Sequence, residues 1–188
     1  MRTARLGLVG LGLGPSASLS VLCFVLLWPV RVSAGQAPEA QEAPVPSAIS
    51  TAKKVFISNA GADSGLFPHP FSGRPDRPYS EFYAAVQGWG RYEMVSDPAE
   101  ADLVFELQLS APNGPANANK VKGASDPLPM FRLVIFDRKT HYVLWALTES
   151  IDIAYVQKTH DRNFDDALAA VLTDLKAVVN RAGLVRPG

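Results

Sequence analysis

The chain has 188 residues, balanced at 18 basic and 18 acidic side chains, with one cysteine and three histidines. That length holds a single domain, and the absence of a basic excess excludes nucleic acid as a partner, because phosphate binding needs a basic stripe. Cys23 has no second cysteine to pair with, so no disulfide forms within the chain.

Arg2 and Arg5 precede an almost uncharged stretch over residues 6–30, densest in apolar side chains at 19–28. Pro29 breaks it, and Val32, Ser33 and Ala34 place small residues where signal peptidase cuts. The pattern predicts a signal peptide over residues 1–34, cleaved after Ala34 or, failing that, Ala37, and a periplasmic or secreted product. An inner-membrane anchor over residues 6–30 is the alternative, and only then would the chain meet a membrane. A lipid signal at Cys23 fits poorly, because Leu22 stands where a small residue is needed and the apolar run continues beyond it. Loss of Arg2, Arg5 and Arg31 leaves 15 basic against 18 acidic residues, a mildly acidic product without a thiol nucleophile. Residues 35–52 are rich in Ala, Pro, Gln and Glu and are expected to be a disordered spacer.

The domain is expected over residues 53–183, with a tail at 184–188. Val55, Phe56 and Ile57 form a short buried strand that stops at Ser58, Asn59, Ala60 and Gly61. A proline-punctuated loop over 61–78 leads to a helix capped by Ser80, with Phe82, Ala85, Val86 and Trp89 at helical spacing and Gly90 at its end. A short strand follows at 92–95, and Asp97, Pro98 and Glu100 read as a capped helical turn. Leu103, Phe105, Leu107 and Leu109 alternate with Val104, Glu106, Gln108 and Ser110, the pattern of a strand with one buried face. Residues 111–129 read as a mobile connection. Residues 130–136 and 142–151 form a hairpin about a tight turn at 137–141.

Asn163 is expected to cap a last helix carrying one apolar stripe: Phe164, Ala167, Leu168, Val171, Leu172, Leu175, Val178 and Val179. The stripe should lie on a sheet built around Leu103, Phe105, Leu133, Ile135 and Trp145. The order β-α-β-β-β-β-α predicts an α+β two-layer sandwich, a mixed and mostly antiparallel sheet of about five strands with two helices on one face.

At Ala101-Asp102-Leu103-Val104, and at Asp137-Arg138-Lys139-Thr140 followed by Leu144-Trp145, the chain resembles uncharacterised bacterial envelope lipoproteins. Those carry an Ala-Asp strand entry and an Asp-x-Lys-Thr-Gly hairpin leading to an aliphatic-Trp pair. The topology also resembles small α/β modules of envelope assembly proteins, such as the amino-terminal domain of the Tol-Pal component TolB. The resemblance implies an exported, non-catalytic interaction or assembly module, working on an unidentified envelope protein or peptide. His141 departs from it by standing at the hairpin glycine, a position histidine tolerates better than β-branched residues do.

Catalytic signals are sparse. The triplet Asp63-Ser64-Gly65 resembles the acid-bearing triplet of aspartic proteases, but it occurs once where two carboxylates must share a proton. A small secreted hydrolase using Asp63 with a loop histidine is therefore the alternative function. His69, His141 and His160 are expected in loops without metal-ligand spacing, and Asp165 and Asp166 in the first turn of the last helix, where its dipole accounts for them. No catalytic, metal or cofactor site is expected. Phe67, Phe71, Tyr79 and Tyr83, with Phe82 beside them, interleave with the loop prolines. They are the candidate rim for a ligand or Pro-rich peptide, unless the rings fold back onto the sheet edge.

Overall fold

A computed structural model of the chain describes residues 43–116 and 125–184. The expected signal peptide with its cleavage sites, residues 35–42 of the expected spacer and residues 185–188 of the tail lie outside the described residues.

The main sheet is built from β1 (Lys54–Ala62), β2 (Glu93–Met94), β3 (Leu103–Ser110), β6 (Met130–Asp137) and β7 (Val143–Ser150) in the order β2-β1-β3-β6-β7. Strands β2, β1 and β3 run parallel, whereas β3, β6 and β7 form an antiparallel meander. Helices α2 (Arg77–Trp89) and α3 (Gln157–Leu184) cover one face, giving the expected open α+β sandwich. The covered face takes Val55 and Ile57 from β1, every second residue of β3 from Leu103 to Leu109, and Phe131, Leu133 and Ile135 from β6. Phe82 and Val86 of α2 and Phe164, Val171, Leu175 and Val178 of α3 close over them. The opposite face carries Phe56, Val104, Val134 and Phe136, with the turns 98–100 and 137–141 beside Val104 and Phe136.

Several local expectations hold. Gly90 ends α2 with φ 68°, Asp97 Oδ1 caps the turn Pro98–Glu100 through Ala99 N at 2.7 Å, and His141 adopts φ 61° in the β6–β7 turn.

Other expectations are corrected. Residues 43–52, expected in the disordered spacer, belong to the folded unit. A short helix, α1 (Ala48–Thr51), buries Ile49 completely, and the buried Tyr92 hydroxyl donates to Ile49 O at 3.0 Å. Burial is what raises the Tyr92 phenol to about 12, so that hydroxyl remains a donor.

Strand β1 continues past Ser58 to Ala62, because parallel pairing with β3 at Ser58, Asn59 and Ala62 overrides weak local strand preference, with a bulge taken up between Asn59 and Ala62. Helix α2 begins at Arg77 rather than after Ser80. Pro78 suits a first helical turn, and Arg77 Nε reaches Glu81 Oε1 at 2.7 Å. The expected mobile connection over 111–129 contains a two-stranded arm, β4 (Asn113–Ala116) paired with β5 (Ser125–Pro127). Helix α3 starts at Gln157, and Asn163 donates to Asp152 O at 2.8 Å instead of capping. Asp165 and Asp166 therefore lie beyond the first turn. Leu172 and Trp145 are only half-buried, at the margin of the core.

Candidate functional site

The proline-rich loop after β1 is not an open rim. Phe71 is fully buried, and its ring lies 5.4 Å from that of Phe164, with Phe67 at 6.4 Å and Phe131 at 5.1 Å from the same ring. Tyr79 and Tyr83 are half-buried against the core, their rings 6.1 Å apart. The correction has a simple cause: α3 offers Phe164 at the right height, and aromatic surface leaves water when an apolar acceptor is within reach.

A polar clamp then holds the loop down. Asp161 Oδ1 accepts from Ser72 N at 2.8 Å and from Arg77 Nη1 at 2.9 Å, while Ser72 Oγ donates to Asp161 Oδ2. Arg77 Nη2 donates to Asp165 Oδ1 at 2.6 Å, and its guanidinium lies 4.2 Å from the Phe164 ring centre. Gln157 Nε2 donates to Pro70 O at 2.7 Å, and His69 Nδ1 donates to Gln157 Oε1 at 3.0 Å. Partial burial opposes charge on Asp161, but the Ser72, Arg77 and Gln157 donors outweigh it and bring its carboxyl down to about 2. Every partner in the clamp is spoken for, so it reads as a fastener.

The hydrolase reading required Asp63 to meet a histidine. Instead Asp63 Oδ2 accepts from Ala111 N at 2.6 Å, closing the end of β1 onto β3. His69 is engaged by Gln157. His160, expected in a loop, is buried in the first turn of α3, where its Nδ1 accepts from Ala154 N at 3.2 Å. His141 occupies the β6–β7 turn. Among the described residues no cluster of three or more His, Cys, Asp or Glu could hold a metal.

What stands open is a groove of about 700 Å³ at the same end of the sheet, with Pro70 of that loop in its lining. One wall is Pro127, Leu128 and Pro129 at the root of the β4–β5 arm; the other is the extended link from Ile151 to Tyr155. Leu128, Ile153 and Tyr155 are exposed on it, and Val156 is exposed next to Tyr155. Both walls are fixed. Leu128 N donates to Pro112 O at 2.9 Å, and the link is pinned by His160 at Ala154 and Asn163 at Asp152. Gly114 permits the close approach of the arm, since a Cβ there would sit 2.9 Å from Asp126 O and 3.1 Å from Leu128 Cγ. Among the described residues the lining includes the acids Asp126 and Asp152 and no cation. Apolar side chains left exposed on a fixed frame make this groove the candidate site.

Sequence reasoning missed this groove. Its signal was the alternation of Ile151, Ile153 and Tyr155 beyond the last strand, together with a leucine between two prolines. The quoted motif residues, by contrast, are joints. Asp102 Oδ2 accepts from Lys53 N at 2.9 Å and Lys54 N at 3.0 Å, and these bonds lower its carboxyl. Asp137 Oδ1 accepts from Thr140 N at 2.7 Å, fixing the hairpin turn.

No protein-family model matches the chain, and no curated protein matches it. Among solved structures it is similar to protein XCC0632 from Xanthomonas campestris, of the DUF330 family, at 15% identity over 66% of this chain and 81% of that one, TM-score 0.41. It is also similar to the PelC dodecamer from Paraburkholderia phytofirmans, at 13% identity over 71% and 93%, TM-score 0.39. A third is uncharacterised lipoprotein B from Nitrosomonas europaea, at 12% identity over 76% and 92%, TM-score 0.38. Likeness at this level carries neither family membership nor function to this chain. Among the described residues no helix is long and apolar enough to cross a membrane.

Proposed function

We propose that this chain is an exported, non-catalytic interaction module of the bacterial cell envelope, which grips an aliphatic segment of a partner protein in the groove between the arm and the 151–156 link. One observation carries the reading: Leu128, Ile153 and Tyr155 remain exposed on walls that the backbone and α3 hold rigid. Rigid walls matter because the ordering cost of binding is then borne largely by the partner. The exposed Asp152 in the lining favours a segment that carries a basic residue beside its aliphatic ones. Export rests on Arg2, the apolar run and Ala34.

The test is site-specific photo-crosslinking in the native host. A benzophenone side chain at Tyr155 or Leu128 should give one discrete adduct with an envelope protein. The same group at the exposed Arg74, on the clamped loop, should give none, and Ile153→Asp should abolish the Tyr155 adduct. Adducts of equal yield from Tyr155 and Arg74, or none from either groove position, would overturn the reading. Mass spectrometry of the exported fraction should find a chain starting near Gly35; recovery of intact Met1 chain in membranes alone would replace export with anchoring.

A further inference from the structure

One wall of the groove hangs on a side chain that titrates. The link from Ile151 to Tyr155 is held by Ile151 N donating to Pro129 O at 2.8 Å, by Asn163 Nδ2 donating to Asp152 O at 2.8 Å, and by Ala154 N donating to His160 Nδ1 at 3.2 Å. Backbone and amide groups keep one protonation state at any physiological pH, but an imidazole does not. Ala154 stands between Ile153 and Tyr155, the exposed apolar residues of this wall, so the bond to His160 sets their place.

An imidazole accepts through Nδ1 only while it is neutral with its proton on Nε2; once both nitrogens are protonated it has no acceptor left. Protonation of His160 therefore sets Nδ1–H against the Ala154 N–H, donor to donor. It also puts a positive charge in the first turn of α3, where the free backbone N–H groups already concentrate partial positive charge. His160 is buried, with the Phe71 ring edge-on to it at 6.3 Å, so a cation there is largely shut off from water. Swinging the ring out relieves all three costs and frees Ala154 from α3.

The charged groups of the surrounding elements do not offset those costs. On the loop His69 bonds to Gln157, and on α2 Arg77 bonds to Glu81, Asp161 and Asp165. On the link Asp152 and Tyr155 are exposed, as are Lys158 and Arg162 on α3, and Glu149 of β7 meets Asp174 further along α3. Among the described residues none of these is hydrogen-bonded to the imidazole, whose partner is Ala154 N.

We infer that His160 is a pH-operated pin on the groove: while its imidazole is neutral the link stays on α3 and the groove stands formed, and protonation frees the link and releases the segment bound there. The release step rests on the groove being the binding site, as proposed above. The sign follows by linkage: the formed wall requires the neutral ring, so acidification weakens the hold, and a partner in the groove in turn disfavours the proton. The range to search is about pH 5 to 8, where imidazoles change charge.

Two readouts keep the pin and the binding site distinguishable. The first needs no partner. In the isotope-labelled chain as exported, NMR at about pH 7.5 should show His160 neutral and protonated on Nε2. Between about pH 7.5 and 5.5, hydrogen exchange at Ala154 N, corrected for its intrinsic pH dependence, should lose about tenfold in protection, the order that one backbone hydrogen bond supplies. Ile151 N, bonded to Pro129 O, should keep its protection. His160→Asn puts an Oδ1 that does not titrate near the place of Nδ1, and should hold Ala154 protected at both values. In wild type alone, a His160 ring protonated on Nδ1 at about pH 7.5, or Ala154 protection indifferent to pH, would overturn the inference; so would an equal loss in folded His160→Asn. The second readout is the benzophenone adduct from Leu128, on the opposite wall, in envelope extracts adjusted to the same two values. Its yield should fall severalfold on acidification in wild type and stay level in His160→Asn. A level yield in wild type would overturn the release step. No adduct at either value would overturn the groove as a binding site, and the release step with it, while the Ala154 exchange would still decide the pin.

Discussion

Two regions at the margin of the sheet met opposite fates. The loop over 63–76 has the residues of a binding rim, yet its rings are packed on Phe164 and its backbone is fastened to Asp161 and Gln157. The segments 127–129 and 151–156 look like connections, yet they hold Leu128, Ile153 and Tyr155 in solvent. The difference is the neighbour available to each. Phe164 and Phe131 give the first loop an apolar surface to land on, whereas the second pair of segments face one another across a gap that no described side chain fills. Aromatic content alone does not identify a binding surface; it must be read with what lies beneath it.

That contrast predicts its largest effect at Phe164. Phe164→Ala removes the ring on which Phe67, Phe71, Phe131 and Arg77 converge, and should destabilise the domain by about 3 to 5 kcal/mol in urea unfolding. An effect below about 1 kcal/mol would mean that the loop is not held by its rings.

The clamp should contribute less and in a pH-dependent way. The folded Asp161 carboxyl lies at about 2, below its usual 3.8, so its stabilisation is present above about 4 and is lost as pH falls through about 2. Asp161→Asn should cost about 1 to 2 kcal/mol at pH 7, since Arg77 keeps Glu81 and Asp165 as partners, and should flatten the acid limb of the stability curve. An unchanged acid limb in thermal melts between pH 2 and 5 would sever the clamp from the loop's stability.

Much of the fold was legible because its signals are local. The alternation over Leu103–Ser110 reappears as strictly alternating burial, the Asp97 cap forms, and His141 takes the left-handed turn position that its place in the motif required. What escaped depends on distant partners. Residues 157–162, Gln-Lys-Thr-His-Asp-Arg, carry no apolar stripe, and their helix is fixed by Pro70, Ser72 and Arg77, more than eighty positions earlier. Val45 and Ile49 are isolated in a stretch of Ala, Pro, Ser and Thr without periodicity, and only their burial, with Tyr92 bonded to Ile49 O, shows that residues 43–52 fold. The groove was hidden for the converse reason: an exposed isoleucine is written with the same letter as a buried one.

A smaller effect separates the two helix margins. Glu149 on β7 is raised by partial burial and then by its hydrogen bond and charge contact with Asp174 on α3. A carboxyl raised on folding stabilises below its unfolded value, near 4.5, and that contribution is lost as pH rises through the folded value. Glu149→Gln should therefore stabilise the domain at pH 7 by roughly 0.5 kcal/mol and by nothing measurable near pH 4, in paired thermal melts. Equal gains at both pH values would show that the two acids do not repel.

The smallest effect on stability belongs to the groove, and its smallness is the point. Tyr155 is fully exposed, so Tyr155→Ala removes no packing and should move the urea midpoint by an amount equivalent to about 0.5 kcal/mol or less. If the groove binds a partner, the same substitution should still weaken that association by about tenfold or more, as loss of an exposed aromatic anchor does at an interface. The decisive measurement is both quantities on one protein. Phe164→Ala should lose stability first and binding only through unfolding, whereas Tyr155→Ala should lose binding while the fold stands. If Tyr155→Ala left association intact, the groove would be an unused gap beside the arm, and the loop and the link would differ in packing without differing in purpose.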